Sequence, residues 1–141
     1  MHMQGEPRTM QENPHYENVV TEVATFLEGR LEFAVAAGIP EDRICLDPGF
    51  GFGKTTGHNL ELLLGLRTIV ALGRPVLVGI SRKRFLARLL GDELSIRGPL
   101  GAGVACALLA YERGASIFRA HDVRAHVEAL AAAQALETAH V

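Results

Sequence analysis

Residues 45–63 read CLDPGFGFGKTTGHNLELL, passing from an apolar run through a glycine turn into a helix. The centre, Gly49-Phe50-Gly51-Phe52-Gly53-Lys54-Thr55, invites comparison with a nucleotide phosphate loop. Such a loop needs a further Gly five residues before its Gly-Lys-Ser/Thr, so that successive N–H groups wrap the phosphates. Here that position is Pro48, which has no N–H and a fixed φ. The dinucleotide-binding spacing fails too, because Lys54 stands where its third Gly belongs. The turn therefore calls for a different ligand or a different task.

Outward from this turn, helical and strand-like segments alternate. Tyr16, Val19, Val20, Val23, Phe26, Leu27, Leu31, Ala34 and Val35 recur at helical spacing, and Gly38 with Pro40 ends that helix. Residues 43–47 read as a short buried strand entering the turn, 60–72 as a helix, and 75–80 (PVLVGI) as a second strand. Ser81 is expected to cap a short helix carrying Phe85, Leu86, Leu89 and Leu90. Small residues over 101–113 predict a closely packed helix, 116–120 a third strand, and Asp122 the cap of a final Ala-rich helix reaching Leu136. Met1 to Gly5 fit the end of a further strand.

Strands without polar alternation, each followed by a helix, imply an α/β protein with parallel strands covered by helices. Asp47, then Ser81-Arg82-Lys83, then Arg119 and His121 all fall at carboxyl ends of strands. In α/β folds that edge holds the ligand. About four strand–helix units are present, whereas a closed eight-stranded barrel takes about 250 residues. Half a barrel would leave two long edge strands, which natural proteins avoid.

The 141 residues are 48% hydrophobic and 21% charged, with net charge -2, enough for one soluble core. No basic surplus points to nucleic acid, no apolar run is long enough to span a bilayer, and no signal-peptide layout opens the chain. Cys45 and Cys106 have no second Cys or His at metal-ligand spacing and read as packed, reduced thiols, with the cytoplasm as default compartment.

Arg119 and His121, two apart, leave the same face of a strand about 6 to 7 Å apart. They suit a clamp for phosphate or pyrophosphate, beside the N–H groups of the next helix; equally, Arg119 could pair with a buried carboxylate and His121 sit satisfied in the core. Lys83 reads either as a surface cation in a first helical turn or as a ligand contact just past a strand end. Arg82 and Arg84 read as solvated or structural. Asp47, ending an apolar strand, could cap the glycine turn or accept N–H bonds from a ligand. Phe50 and Phe52 could stack on a flat ring or fill the core, and His15, His58, His126 and His140 suit surface roles.

Four segments in register, MHMQG, LDPGFGFGK, GISRK and FRAHDV, closely resemble the second half of the dihydropteroate synthase family of folate biosynthesis, over essentially all 141 residues. The related pterin-binding methyltransferases share the barrel and a pterin-binding aspartate but are not expected to combine Ser-Arg-Lys with Arg-x-His. The resemblance implies the C-terminal half of a (β/α)8 TIM barrel, about strands 5 to 8, with residues 1–141 as that portion of a pterin-binding domain. It implies a transferase that joins dihydropterin pyrophosphate to p-aminobenzoate, releases pyrophosphate, uses Mg2+, forms a homodimer and is a sulfonamide target. It assigns Asp47 to the pterin ring, Met3 to the pterin pocket, and Lys83 to a place between pterin and p-aminobenzoate. Phe52 would border p-aminobenzoate, Arg119 and His121 would hold pyrophosphate, and Arg119 would also cover the pterin face. The glycine turn would let backbone approach a flat heterocycle. The family's magnesium-ligating Asn and two flexible loops have no counterpart here, so the chain is expected to be a fragment inactive alone. Only Pro99-Leu100-Gly101 departs mildly from the family pattern. A pterin-binding half barrel without turnover, or a half that merely completes another barrel half, are the alternatives.

Overall fold

The computed structural model describes residues 1–139, so His140 lies outside the described residues. Its elements are α1 (Val19–Ala36), a 3-10 turn (Glu41–Arg43), α2 (Thr56–Leu64), α3 (Leu66–Val70), β1 (Leu77–Val78), α4 (Arg84–Leu89), α5 (Leu100–Glu112), β2 (Ile117–Phe118) and α6 (Val123–Thr138).

The start of α1 is written locally. Asn18 takes extended backbone and its side chain accepts from the Thr21 N–H, while Glu22 reaches back to the N–H groups of Glu17 and Asn18. The helix buries Val19, Val23, Ala24 and Leu27. Phe26 and Val35, expected on the same face, are instead substantially exposed. The expected single helix over 60–72 is two helices, α2 and α3, divided at Gly65. A Cβ there would lie 2.6 Å from Val20 Cγ2, so the missing side chain is what lets α1 lie against this joint.

Four extended segments lie side by side in chain order. The His2 N–H donates to Asp47 O (3.0 Å). Leu46 bridges Val76 in parallel, with Leu46 N–H to Pro75 O at 2.9 Å and Leu77 N–H to Leu46 O at 2.8 Å. β1 pairs parallel with β2, Leu77 opposite Ile117 and Val78 opposite Phe118. The regular strands are shorter than expected, but their placement and direction are as the apolar runs imply. This is an α/β fold, with helices forming every crossover.

Neither expected side-chain cap forms. α4 begins three residues beyond Ser81, with Lys83 at its N-cap, and Asp122 does stand at the N-cap of α6 but accepts from that helix only through its carbonyl, from the His126 N–H at 3.3 Å. Both side chains have partners 40 residues away, described below. His126, expected on the surface, is buried with Nδ1 2.9 Å from Asp122 O. It packs against α5, its Nε2 lying 4.0 Å from where a Cβ on Gly103 would be, an ordinary contact distance. Cys106 is buried as expected, whereas Cys45 is exposed.

The core joins the inner faces of α1, α2 and α3 to the extended segments through Leu27, Phe50, Leu62, Leu66, Ile69, Val76 and Val78. Leu62 is 0% exposed and Leu64, two residues on, 66%. Leu62→Ala should therefore cost about 2–5 kcal/mol, and Leu64→Ala within about 0.5 kcal/mol of nothing. Urea unfolding midpoints of the two variants give the comparison, and equal losses would mean that α2 is packed on the wrong face.

Candidate active site

The glycine turn follows Asp47-Pro48, and Gly49, Gly51 and Gly53 all take left-handed backbone, at φ +72°, +76° and +62°. A chain folded this tightly makes a single backbone bond within itself, Phe52 N–H to Gly49 O at 3.1 Å, so side chains do most of the pairing. From Gly49 to Gly53 every carbonyl accepts from one: Gly49 O from Lys54 Nζ (3.0 Å), Phe50 O from Lys83 Nζ, Gly51 O from Gln11 Nε2 (2.6 Å), Phe52 O from Lys54 Nζ (3.1 Å) and Gly53 O from the Tyr16 hydroxyl (2.8 Å). On the donor side, the Gly49 N–H meets Asp47 Oδ1 (2.8 Å) and the Gly51 N–H meets Asn59 Oδ1 (2.6 Å).

The close approaches that the glycines permit are to the chain itself. A Cβ on Gly49 would sit 1.8 Å from His2 O, and one on Gly53 would sit 2.5 Å from Gln4 O. The opening segment is thus seated on the turn, with Met3, half-buried, one residue past the His2–Asp47 bond. The two turn phenylalanines divide the roles left open for them: Phe50 is core, 1% exposed, while the half-buried Phe52 ring lies 4.3 Å from Lys83 Nζ.

The other strand ends converge on the same place. Asp47 is buried, and its Oδ2 accepts from Arg119 Nη2 at 3.2 Å. Arg119 crosses Gly79, where a Cβ would lie 2.9 Å from Nη2, and its side chain stays 58% exposed. Most of its donors thus remain free for a ligand. His121 is held by Ser81, whose Oγ accepts the His121 N–H (3.1 Å) and lies 3.3 Å from Nδ1. Arg82, at φ +59°, grips both carboxylate oxygens of Asp122 at 3.0 and 2.7 Å. This explains the missing caps: Ser81 and Asp122 cross-tie the loop after β1 to the loop after β2.

Two clefts result, and Lys83 is a wall of both. One, about 320 Å³, is lined by Gly79, Ser81, Lys83, Arg119, Ala120 and His121. The other, about 260 Å³, shares Lys83 and includes Phe52, Gln11, Lys54, Asn59, Arg84 and Arg88. Asp47, Phe52, Lys83, Arg119 and His121, all singled out from the sequence, are thereby gathered around one point. Ser81, placed at this edge by the sequence, joins them by holding His121, whereas sequence reading assigns His2, Lys54 and Asn59 no part in the site. One signal was present: Lys54 and Lys83 are the only two lysines in the chain, and both point at this turn. Among the described residues no group of three His, Cys, Asp or Glu side chains converges, so they build no cage for magnesium.

Burial first, then neighbouring charge, sets the electrostatics. Desolvation, with the Lys83 charge adding to it and Asp47 opposing, lowers the Lys54 ammonium to about 7. Desolvation lowers Lys83 to about 8, Asp47 opposing and Arg119 assisting. His2 is lowered to about 4 by burial and the adjoining cations, so it is neutral and accepts at Nδ1 from Lys54, 2.9 Å away. Both lysines release their protons more readily folded than unfolded. The folded state is therefore penalised in full below about pH 7, and the penalty lifts as pH rises from there towards the ordinary lysine value. Burial raises the Cys106 thiol and takes the Tyr16 hydroxyl to about 12, opposing trends confined to higher pH. The urea midpoint should accordingly increase between pH 7 and 9; a flat or falling midpoint would mean that water reaches both amines.

With the geometry in hand, the family signature of "Pterin binding enzyme" matches residues 1–121. The chain is 49% identical over 138 residues to dihydropteroate synthase of Neisseria meningitidis serogroup C, covering 96% of this chain and 48% of that protein. It superimposes on Xanthomonas albilineans dihydropteroate synthase in complex with 7,8-dihydropteroate with TM-score 0.84 and 47% identity, covering 90% of this chain and 48% of that one. For the same enzyme with 4-aminobenzoic acid the TM-score is 0.87 at 45% identity, covering 99% and 48%. The chain spans about half the length of the curated relatives it matches. Motif order, strand-end geometry and these likenesses agree: the chain belongs to the pterin-binding enzyme family.

Proposed function

We propose that this chain supplies the pterin- and pyrophosphate-binding half of a dihydropteroate synthase, which condenses dihydropterin pyrophosphate with p-aminobenzoate. The observation that carries the reading is Lys83 standing between two clefts, one bearing Arg119 and His121, the other Phe52. Two substrates that must meet at one bond need such a shared wall. The solved relatives hold 7,8-dihydropteroate and 4-aminobenzoic acid, the product and one substrate of this condensation.

Each side chain has a task its geometry suits. Asp47 uses one lone pair on each oxygen for Gly49 N–H and Arg119 Nη2, leaving acceptor capacity for pterin N–H groups. Met3, beside the turn, would line the pterin pocket. Arg119 and His121 would meet the charge that grows on pyrophosphate as the methylene C–O bond breaks. The leaving group takes the electron pair, positive charge spreads from the methylene into the electron-rich ring, and the weakly basic amine forms the new C–N bond and loses a proton. No protein nucleophile is needed. Lys83 would donate to the pterin on one side and bound p-aminobenzoate, with Phe52, on the other. The resemblance's magnesium ion would be held by residues other than these.

The same reading takes the four ordered extended segments as about strands 5 to 8 of a (β/α)8 barrel, with residues 1–141 as that part of the domain. It places the enzyme in the cytoplasm as a homodimer formed through its later helices. Exposed Leu100 and Leu109 on α5 and Val123 and Val127 on α6 support such a surface. Among the described residues no helix is long and apolar enough to cross a membrane.

Calorimetry with dihydropterin pyrophosphate, followed by assay for dihydropteroate with p-aminobenzoate and magnesium, tests the reading. Binding should occur and weaken about 10- to 100-fold in Asp47→Asn and Lys83→Ala, since a charged hydrogen bond contributes about 1.5–3 kcal/mol. Product should form when a relative's N-terminal half is added, and a sulfonamide should suppress it. Binding without product under those conditions would favour a module that holds pterin without turnover; no binding at all would sink the reading.

A further inference from the structure

We propose that Lys54 is a positioning residue: its ammonium draws the two ends of the glycine turn together and ties the opening segment to them, so that Phe50 O faces Lys83 and Phe52 faces the second cleft. The proposal rests on the function above for its consequence, but its physical basis is independent of any ligand.

Lys54 is 4% exposed, and Nζ has three partners: His2 Nδ1 at 2.9 Å, Gly49 O at 3.0 Å and Phe52 O at 3.1 Å. Below about pH 7, where Lys54 is protonated, three acceptors match the three N–H donors of its ammonium, with none left over. Those acceptors come from the first residue of the turn, its fourth, and the segment bearing Met3. Within the turn itself only one backbone bond, Phe52 N–H to Gly49 O at 3.1 Å, spans the same gap. Three left-handed glycines give this stretch an unusually large choice of other conformations, so a cross-link with three partners has much to suppress. Lys54 stands outside the cleft that holds Arg119 and His121, and although it borders the second cleft, its Nζ is taken up by the three acceptors beneath the turn. Burying a charge is costly unless such partners are in place.

What Lys54 holds is what the clefts are made from. The peptide between its two carbonyl partners carries Phe50 O, which accepts from Lys83, and Gly51, where a Cβ would lie 2.9 Å from Lys83 Cδ. Phe52, whose carbonyl Lys54 grips, carries the ring under Lys83 Nζ. Releasing Lys54 would let Phe52 and Lys83 wander together, degrading affinity while both of those side chains remain in place.

The test is Lys54→Met in the full chain, read by amide hydrogen exchange and by calorimetry with dihydropterin pyrophosphate. Expected are exchange at residues 49–53 at least tenfold faster, α1 and α5 unchanged, and a dissociation constant about tenfold weaker, with Lys54→Arg recovering part of each. Unchanged exchange in the turn would overturn the proposal. So would equal acceleration in α1 and α5, which would make Lys54 a general stabiliser. Should Lys54→Met fail to fold, His2→Ala removes one acceptor and keeps the amine. It should speed exchange at 49–53 severalfold, and no change there overturns the proposal. A wild-type chain that binds no pterin would fail the proposed function, while the exchange comparison would still decide the role of Lys54.

Discussion

Between Gly49 and Gly53 the backbone makes only one bond with itself, and each of its carbonyls accepts from a side chain outside the turn. That requirement organises the molecule. Tyr16 and Gln11 come from the segment before α1, Lys83 from the loop after β1, and Lys54 from beneath. An unpaired buried carbonyl costs more than a made bond returns, so the donors at the buried carbonyls, Tyr16 and Lys54, are held in place, whereas water could stand in for exposed Gln11. Elements distant in sequence are gathered because the turn's polar groups need them. The clefts are the space left between those donors.

The opposite rim follows a similar logic with charged and hydroxyl groups. Ser81 and Arg82 follow β1 directly, and His121 and Asp122 follow β2, so one parallel pair brings all four side by side. The Arg82–Asp122 pair is largely solvated, so its worth lies in geometry more than in stability. It orients the loop on which His121 sits. Arg119, by contrast, keeps one donor on buried Asp47 and offers the rest outward.

Much of this was legible from residue order. Gly38 and Pro40 did end α1, the apolar runs did become adjacent parallel segments, and the strand-end residues did converge. The misreadings share one cause: a local rule lost to a distant partner. Ser81 and Asp122 satisfy every local criterion for a cap, yet each found a better partner 40 residues away. His126 reads as a surface residue because nothing near it in sequence announces that α5 packs over it. Lys54 was weighed only as a phosphate-loop lysine, and once that spacing failed its burial had no sequence signature. Gly65 divided a helix that periodicity alone runs straight through, because the constraint was Val20 on another helix.

The scarcity of lysine has a practical side. The surface of this chain carries its positive charge almost entirely as guanidinium, and its only two side-chain amines are folded onto one turn. An amine-selective crosslinker, fluorescent ester or coupling resin would therefore find the α-amino group and, beyond it, nothing but the site. Immobilising or tagging the protein by that chemistry would select for molecules with a damaged turn, whereas attachment through exposed Cys45 would carry its own risk, being two residues from Asp47.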